Sequence, residues 1–244
     1  MSTRLAKQII YGAFYAIVLF AIFFGGYLLL RPQAPVSCEV TGDCVPVAQP
    51  ITVLAVEPFT TAPGHTTFLA KIANPNTELA AWNFSYSFNV YDASGTLLQT
   101  LPGDSYLYGG EIKYVLLTNQ TIATSAAATD LLIPTSTVSW VATSSFGLEP
   151  QLAIINVSTA MSSSTFPSSP TVIAAGQLID NDTASFNNIF IVAVFKDASG
   201  NPIGASQTEL NSIAPNQTES FSISYPDLPG INPAATEVEA YAHR

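Results

Sequence analysis

One short unit occurs twice, and it constrains the fold more than any other feature of the chain. Phe88-Asn89-Val90-Tyr91 runs into Asp92-Ala93-Ser94-Gly95, and 105 positions later Ala193-Val194-Phe195-Lys196 runs into Asp197-Ala198-Ser199-Gly200. Asp accepts hydrogen bonds from the backbone just ahead of it, and Gly supplies a left-handed residue, so each unit reads as a strand closed by a tight turn. In the first copy, Trp82 to Val90 alternates apolar and polar residues strictly. That period puts one face on a core and the other in water, with Trp82 and Trp140 expected in the core. An offset of this size is a domain length, so the pattern predicts a duplicated domain and not a solenoid.

Further landmarks recur in the same order. Phe68 to Asn76 matches Val172 to Asp182, each a strand ending in an Asn-rich turn. Gly109-Gly110-Glu111 matches Pro215-Asn216-Gln217, and Val138-Ser139-Trp140-Val141 matches Val238-Glu239-Ala240-Tyr241. The boundary falls near Ser145 to Pro150. Short strands broken by Gly, Pro, Asn and Ser fill the rest. The best helical candidate is Ala123 to Leu132. The repeated strand end, Phe88 to Gly95 and Ala193 to Gly200, resembles the FxLYD-like and related immunoglobulin-like modules of prokaryotic envelope proteins, whose strands end in an aromatic-x-Asp-x-x-Gly turn as Phe195-Lys196-Asp197 does here. The resemblance covers about Ile51–Ser144 and Gln151–Arg244, and it implies antiparallel sandwiches with no shared catalytic residues. The expected fold is mainly β: two tandem antiparallel immunoglobulin-like β-sandwiches, over 50–145 and 150–244, plus one N-terminal transmembrane helix.

That helix is read from Ile9 to Leu30, 22 residues without a charge. About 20 apolar residues cross a bilayer, and Tyr11 and Tyr27 sit near the ends, where amphipathic rings prefer the interface. A signal peptide has a shorter apolar centre and a small-residue cleavage site, which this run lacks. Arg4 and Lys7 precede the span, so residues 1–8 are expected as a short cytoplasmic tail and the rest outside the cell membrane. Residues 31–49, with Pro32, Pro35 and Pro46, read as a linker. It carries Cys38 and Cys44. A short disulfide loop is the first reading in an exported protein, and two free thiols the alternative.

All 17 acidic residues follow Arg31, against four basic ones: Lys71, Lys113, Lys196 and Arg244. A field of that sign repels phosphate backbones, so nucleic acid is excluded as a partner. His65 and His243 have no motif around them and read as surface residues. The chain contains no Gly-x-Ser-x-Gly, no phosphate-cradling loop and no His-Glu-x-x-His, so no enzyme activity and no cofactor are expected. Asp180, Asp182 and Asp197 form a candidate calcium set, since hard oxygen ligands suit that ion; a solvated turn is the alternative. Tyr106 and Tyr108, beside Gly109 and Gly110, form a candidate contact loop, with an ordinary packed loop as the alternative. Asn83, Asn119, Asn156, Asn181 and Asn216 each begin an Asn-x-Ser/Thr sequon. The expected role is non-catalytic binding or scaffolding in the envelope, with another envelope protein or a glycan as partner. The alternatives are an accessory subunit of a larger membrane complex and a hydrolase assembled only in the fold.

Overall fold

The computed structural model describes residues 47–122, 126–162, 171–226 and 228–244. The 9–30 run, most of the linker and both cysteines lie outside the described residues. Among the described residues, no helix is long and apolar enough to cross a membrane. Ala48–Arg244 form one compact unit, built almost wholly of antiparallel strands.

The strands sort by half. In the first half they are β1 (Thr52–Ala62), β2 (His65–Ala73), β3 (Leu79–Asp92), β4 (Leu97–Leu107), β5 (Ile112–Thr121), β6 (Ala126–Leu132) and β7 (Ser139–Ala142). A four-residue helix, α1 (Thr143–Phe146), leads to the second half. There follow β8 (Leu152–Ser162), β9 (Thr171–Asp180), β10 (Phe186–Lys196), β11 (Pro202–Ile213), β12 (Thr218–Pro226) and β13 (Glu237–Tyr241). One sheet has the order β1-β2-β5 and its counterpart β12-β9-β8; the other sheets are β4-β3-β6, with β7 also on β3, and β11-β10-β13. The order repeats strand for strand, with β6 the addition in the first half. The stretch expected to be helical thus contributes a strand where it is described. Ala126–Leu132 pairs with Ser87–Asp92 of β3, and this pairing outweighs the weak helical preference of three alanines.

The repeated turns are built alike. Asp92 Oδ1 accepts the backbone N–H of Ser94 at 2.8 Å and of Thr96 at 2.9 Å. Asp197 Oδ1 accepts those of Ser199 and Asn201 at 2.8 and 2.9 Å. Gly95 (φ 80) and Gly200 (φ 83) take the left-handed position.

Each half encloses an apolar core between its two sheets. Phe68, Phe84, Phe88 and Leu107 anchor the first, and Leu178, Ile189, Ile191 and Phe195 the second. The second core does not stop at its own half. Phe59, Leu69, Tyr114 and Leu116 join it from the outer face of the β1-β2-β5 sheet. This is why β2 is buried on both faces from Thr67 to Ala70, and why Phe68-Leu69-Ala70 does not alternate. Burial of that outer face contributes stabilisation of roughly 25 cal/mol per Å² of apolar area removed from water.

Trp82 departs from its expected place. Between Ala81 and Phe84, β3 advances three residues while β4 advances two, from Leu107 to Ser105. The bulge leaves Ala80 and Ala81 both buried and turns Trp82 and Asn83 both outward. Strict alternation therefore holds from Phe84 to Val90 and fails before it. Trp82 is 49% exposed, whereas Trp140 packs against the first core.

Candidate binding groove at the seam between the halves

Four basic side chains serve the whole body, and all four lie where the halves meet. Lys196 Nζ donates to Glu237 Oε2, and Lys71 Nζ stands 3.9 Å from Glu237 Oε1. Tyr114 of β5 donates its hydroxyl to the same Oε1 at 3.2 Å, and its backbone N–H to the Tyr241 hydroxyl at 3.0 Å. Burial pushes the Glu237 carboxyl up, but the Lys196 hydrogen bond and charge outweigh it and hold it below its ordinary value. Glu237 on β13 thus gathers one cation from each half.

Arg244 closes the other end of the seam. Its guanidinium pairs with Asp182, its Nε donates to the Leu148 carbonyl, and its backbone N–H donates to the Tyr108 hydroxyl at 3.0 Å. That hydroxyl in turn donates to the Ala242 carbonyl at 3.2 Å. Tyr108 is buried, and burial pushes its hydroxyl up to about 12. Tyr106 is half-buried on β4. Of the two readings of this loop, the packed one describes both side chains. The cause is the neighbouring half, whose closing segment Ala242–Arg244 covers them.

The fourth cation, Lys113, is only 5% exposed. Its Nζ lies 3.2 Å from the centre of the Tyr106 ring and 5.1 Å from that of Tyr241, and it donates to the Tyr106 carbonyl at 3.3 Å. Burial drives its ammonium well below the usual lysine range, against the pull of Glu111 and Glu149. Glu111 is also buried and accepts the Tyr108 N–H at 2.7 Å. Burial raises its carboxyl, with Lys113 opposing. Two ring faces thus replace part of the water that an ammonium loses.

Beside this cation the rings converge. The His243 imidazole stands nearly edge-on to Tyr106 at 4.5 Å, and to Trp82 and Phe146 at 5.2 Å each. His243 is half-buried in this cluster and lines the surface of the seam. Phe146, from α1, also packs against Tyr108 at 4.6 Å. Trp82, Tyr106 and His243 of this cluster line a groove of about 500 Å³, together with Tyr86 and Asp104 from the first half and Phe190, Gln207 and Tyr241 from the second. A second hollow of about 620 Å³, reaching Phe186, Asn187 and Asn188, shares Tyr106, Phe190 and His243 with it. Gly103 lets the Tyr86 ring form its wall, because a Cβ there would lie 2.4 Å from Tyr86 Cζ.

The remaining sequence candidates are placed elsewhere. Asp182 meets Arg244, Asp180 is buried beneath it, and Asp197 closes the turn at the opposite end of β10. The three carboxylates do not come together. Among the described residues, no group of three His, Cys, Asp or Glu side chains is placed to hold a metal ion. His65 stands at the β1–β2 hairpin. All five sequon asparagines are exposed, and Asn119, Asn156 and Asn216 hold left-handed backbone angles. Sequence reasoning missed Glu111, Lys113, Phe146, Phe190, Tyr241 and Arg244 as seam residues. One signal existed for two of them: with only four cations in the body, each was a candidate organiser.

No family model matches the chain, and no curated protein matches it. Among solved structures, red sea bream transglutaminase aligns over 80% of this chain at 9% identity with a TM-score of 0.23, and the chain spans 31% of that protein. The N-terminal CBM22 tandem domain from Paenibacillus barcinonensis Xyn10C aligns over 81% of this chain and 84% of its own length, at 7% identity and a TM-score of 0.16. Likenesses at those scores carry no argument about function.

Proposed function

We propose that the chain is a single-pass, membrane-anchored protein with a non-catalytic binding role outside the cell membrane, its body two tandem immunoglobulin-like sandwiches of the FxLYD-like kind. One observation carries this reading. Trp82 and Phe190, 49% and 40% exposed, face one groove from opposite halves. Large rings left half in water beside a concave surface are what a contact site leaves open when its partner is away. The cations and tyrosines of the seam hold the two walls, so the groove is preorganised and binding need not order it. The apolar run 9–30 supports the anchor, and the basic residues before it support an outward-facing body.

Affinity capture from membranes tests the role. The full chain is expected to retain a specific partner that the double variant Trp82→Ser, Phe190→Ser loses. Equal recovery with both chains contradicts a groove-centred role. Protease added outside intact cells, with any outer layer opened, is expected to digest the chain beyond Arg31; protection there reverses the orientation.

A further inference from the structure

Taking the binding role above as its basis, we infer that the seam groove takes a short uncharged oligosaccharide. Three features of the groove select that class. The first is its rings. Trp82 and Phe190 are the most exposed rings in its walls, and Tyr86, Tyr106 and Tyr241 line the space between them. The C–H face of a pyranose covers such a ring with apolar surface and removes it from water.

The second feature is the polar lining. Asn83, Asp104 and Gln207 stand in the groove, and Asn187 and Asn188 in the adjoining hollow. Amides both donate and accept, as sugar hydroxyls do, and a carboxylate accepts from them. A purely apolar guest would bury these groups without partners and lose their hydrogen bonds to water.

The third is charge. Seventeen acidic residues set the field of the body, which disfavours an anionic polymer. The groove's own cation, Lys113, is already engaged by the Tyr106 carbonyl and two ring faces. Because Tyr106, Phe190 and His243 line both hollows, the site continues past the room for one sugar and suits a linear chain.

The test is titration of the full chain, held in a sugar-free detergent, with short uncharged fragments of β-glucan, α-glucan, mannan and chitin. The heat of binding is followed, and with it the emission of Trp82 where that residue is present, so that every variant is read by the same signal. At least one series is expected to bind saturably with a Kd of about 1 mM or tighter. Trp82→Ala and, on the opposite wall, Phe190→Ala should each weaken it about tenfold. Trp140→Phe should leave the affinity unchanged. No binding by any series, affinity indifferent to both wall variants, or binding of peptides or anionic sugars alone overturns the inference. If no sugar binds yet the captured partner is still lost with Trp82→Ser, Phe190→Ser, the ligand class fails and the binding role stands. If capture is also indifferent to that variant, both fall.

Discussion

The turn after β2 and the turn after β9 occupy the same place in the two halves, and one atom type separates them. Asn74 Oδ1 accepts the Asn76 N–H at 3.0 Å, while its Nδ2 donates to the carbonyls of Leu79 and Tyr108 at 2.7 and 2.9 Å. Asp180 accepts the Asp182 N–H at 2.8 Å in the same manner. Its side chain has no N–H to give, and its buried Oδ2 has no hydrogen-bond partner among the described residues. Two positions on, the contrast repeats. Asn76 exchanges two hydrogen bonds of 2.8 Å with the Gln49 backbone. Asp182 Oδ2 accepts the Gln151 N–H at 3.4 Å and also meets Arg244, while its Oδ1 accepts the Thr183 and Ala184 N–H groups at 2.7 and 3.3 Å. A change from amide to carboxylate leaves one turn self-contained and gives the other a hold on the last residue of the chain. One copy closes on itself; the other closes the seam.

Exchanging the two chemistries should break this comparison, and the largest effect is expected where the satisfied turn is spoiled. Asn74→Asp removes two donors and buries a carboxylate against two carbonyls. It should destabilise the body by roughly 3 kcal/mol in denaturant titration. The converse, Asp180→Asn, should stabilise it by about 1–2 kcal/mol by supplying donors of the kind Asn74 uses. No gain there would mean that Asp180 does not bear the cost of an unpaired oxygen.

A pH series sharpens the contrast further along the turns, where Glu111 of one half faces the role that Gln217 plays in the other. Each accepts an N–H three residues back, at 2.7 and 2.9 Å. Burial raises the Glu111 carboxyl above its ordinary value. Its contribution is thus complete below the ordinary carboxylate pKa and is lost as pH rises toward the raised one. Glu111→Gln should remove that decline, a difference of about 1 kcal/mol across the mildly acidic range. Lys113 acts with the opposite sign. Burial lowers its ammonium, so charging it in the fold costs stability, and the cost is relieved as pH rises toward the ordinary lysine value. Lys113→Met should flatten that alkaline gain. The smallest effect is expected at Trp82. Because it is half in water, Trp82→Ala should change stability by less than about 1 kcal/mol while still emptying one wall of the groove.

Much of the fold was legible in the sequence because its signals are local. Period-two alternation from Phe84 to Val90, Asp-x-x-Gly turns and the paired Asn-rich turns each depend on residues within a few positions, and each recurs in the fold. The groove was not legible, for three physical reasons. A bulge at Ala81–Phe84 moves Trp82 off the face that alternation assigns it, and a bulge leaves no composition signature. Tyr106 and Tyr108 look exposed beside two glycines, yet a segment more than 130 positions away covers them. Ile112 is exposed while Lys113 beside it is buried, an inversion that only the rings of Tyr106 and Tyr241 make tolerable. Contacts between halves have no local period to read.

Everything proposed for the groove depends on its two walls belonging to one body. Calorimetric unfolding of the full chain measures this directly. Locked halves should melt in one transition with equal calorimetric and van't Hoff enthalpies, and Glu237→Ala together with Arg244→Ala should split it in two. Two separate transitions in the unaltered protein would show that the halves fold independently, and the seam could not then hold a preformed site.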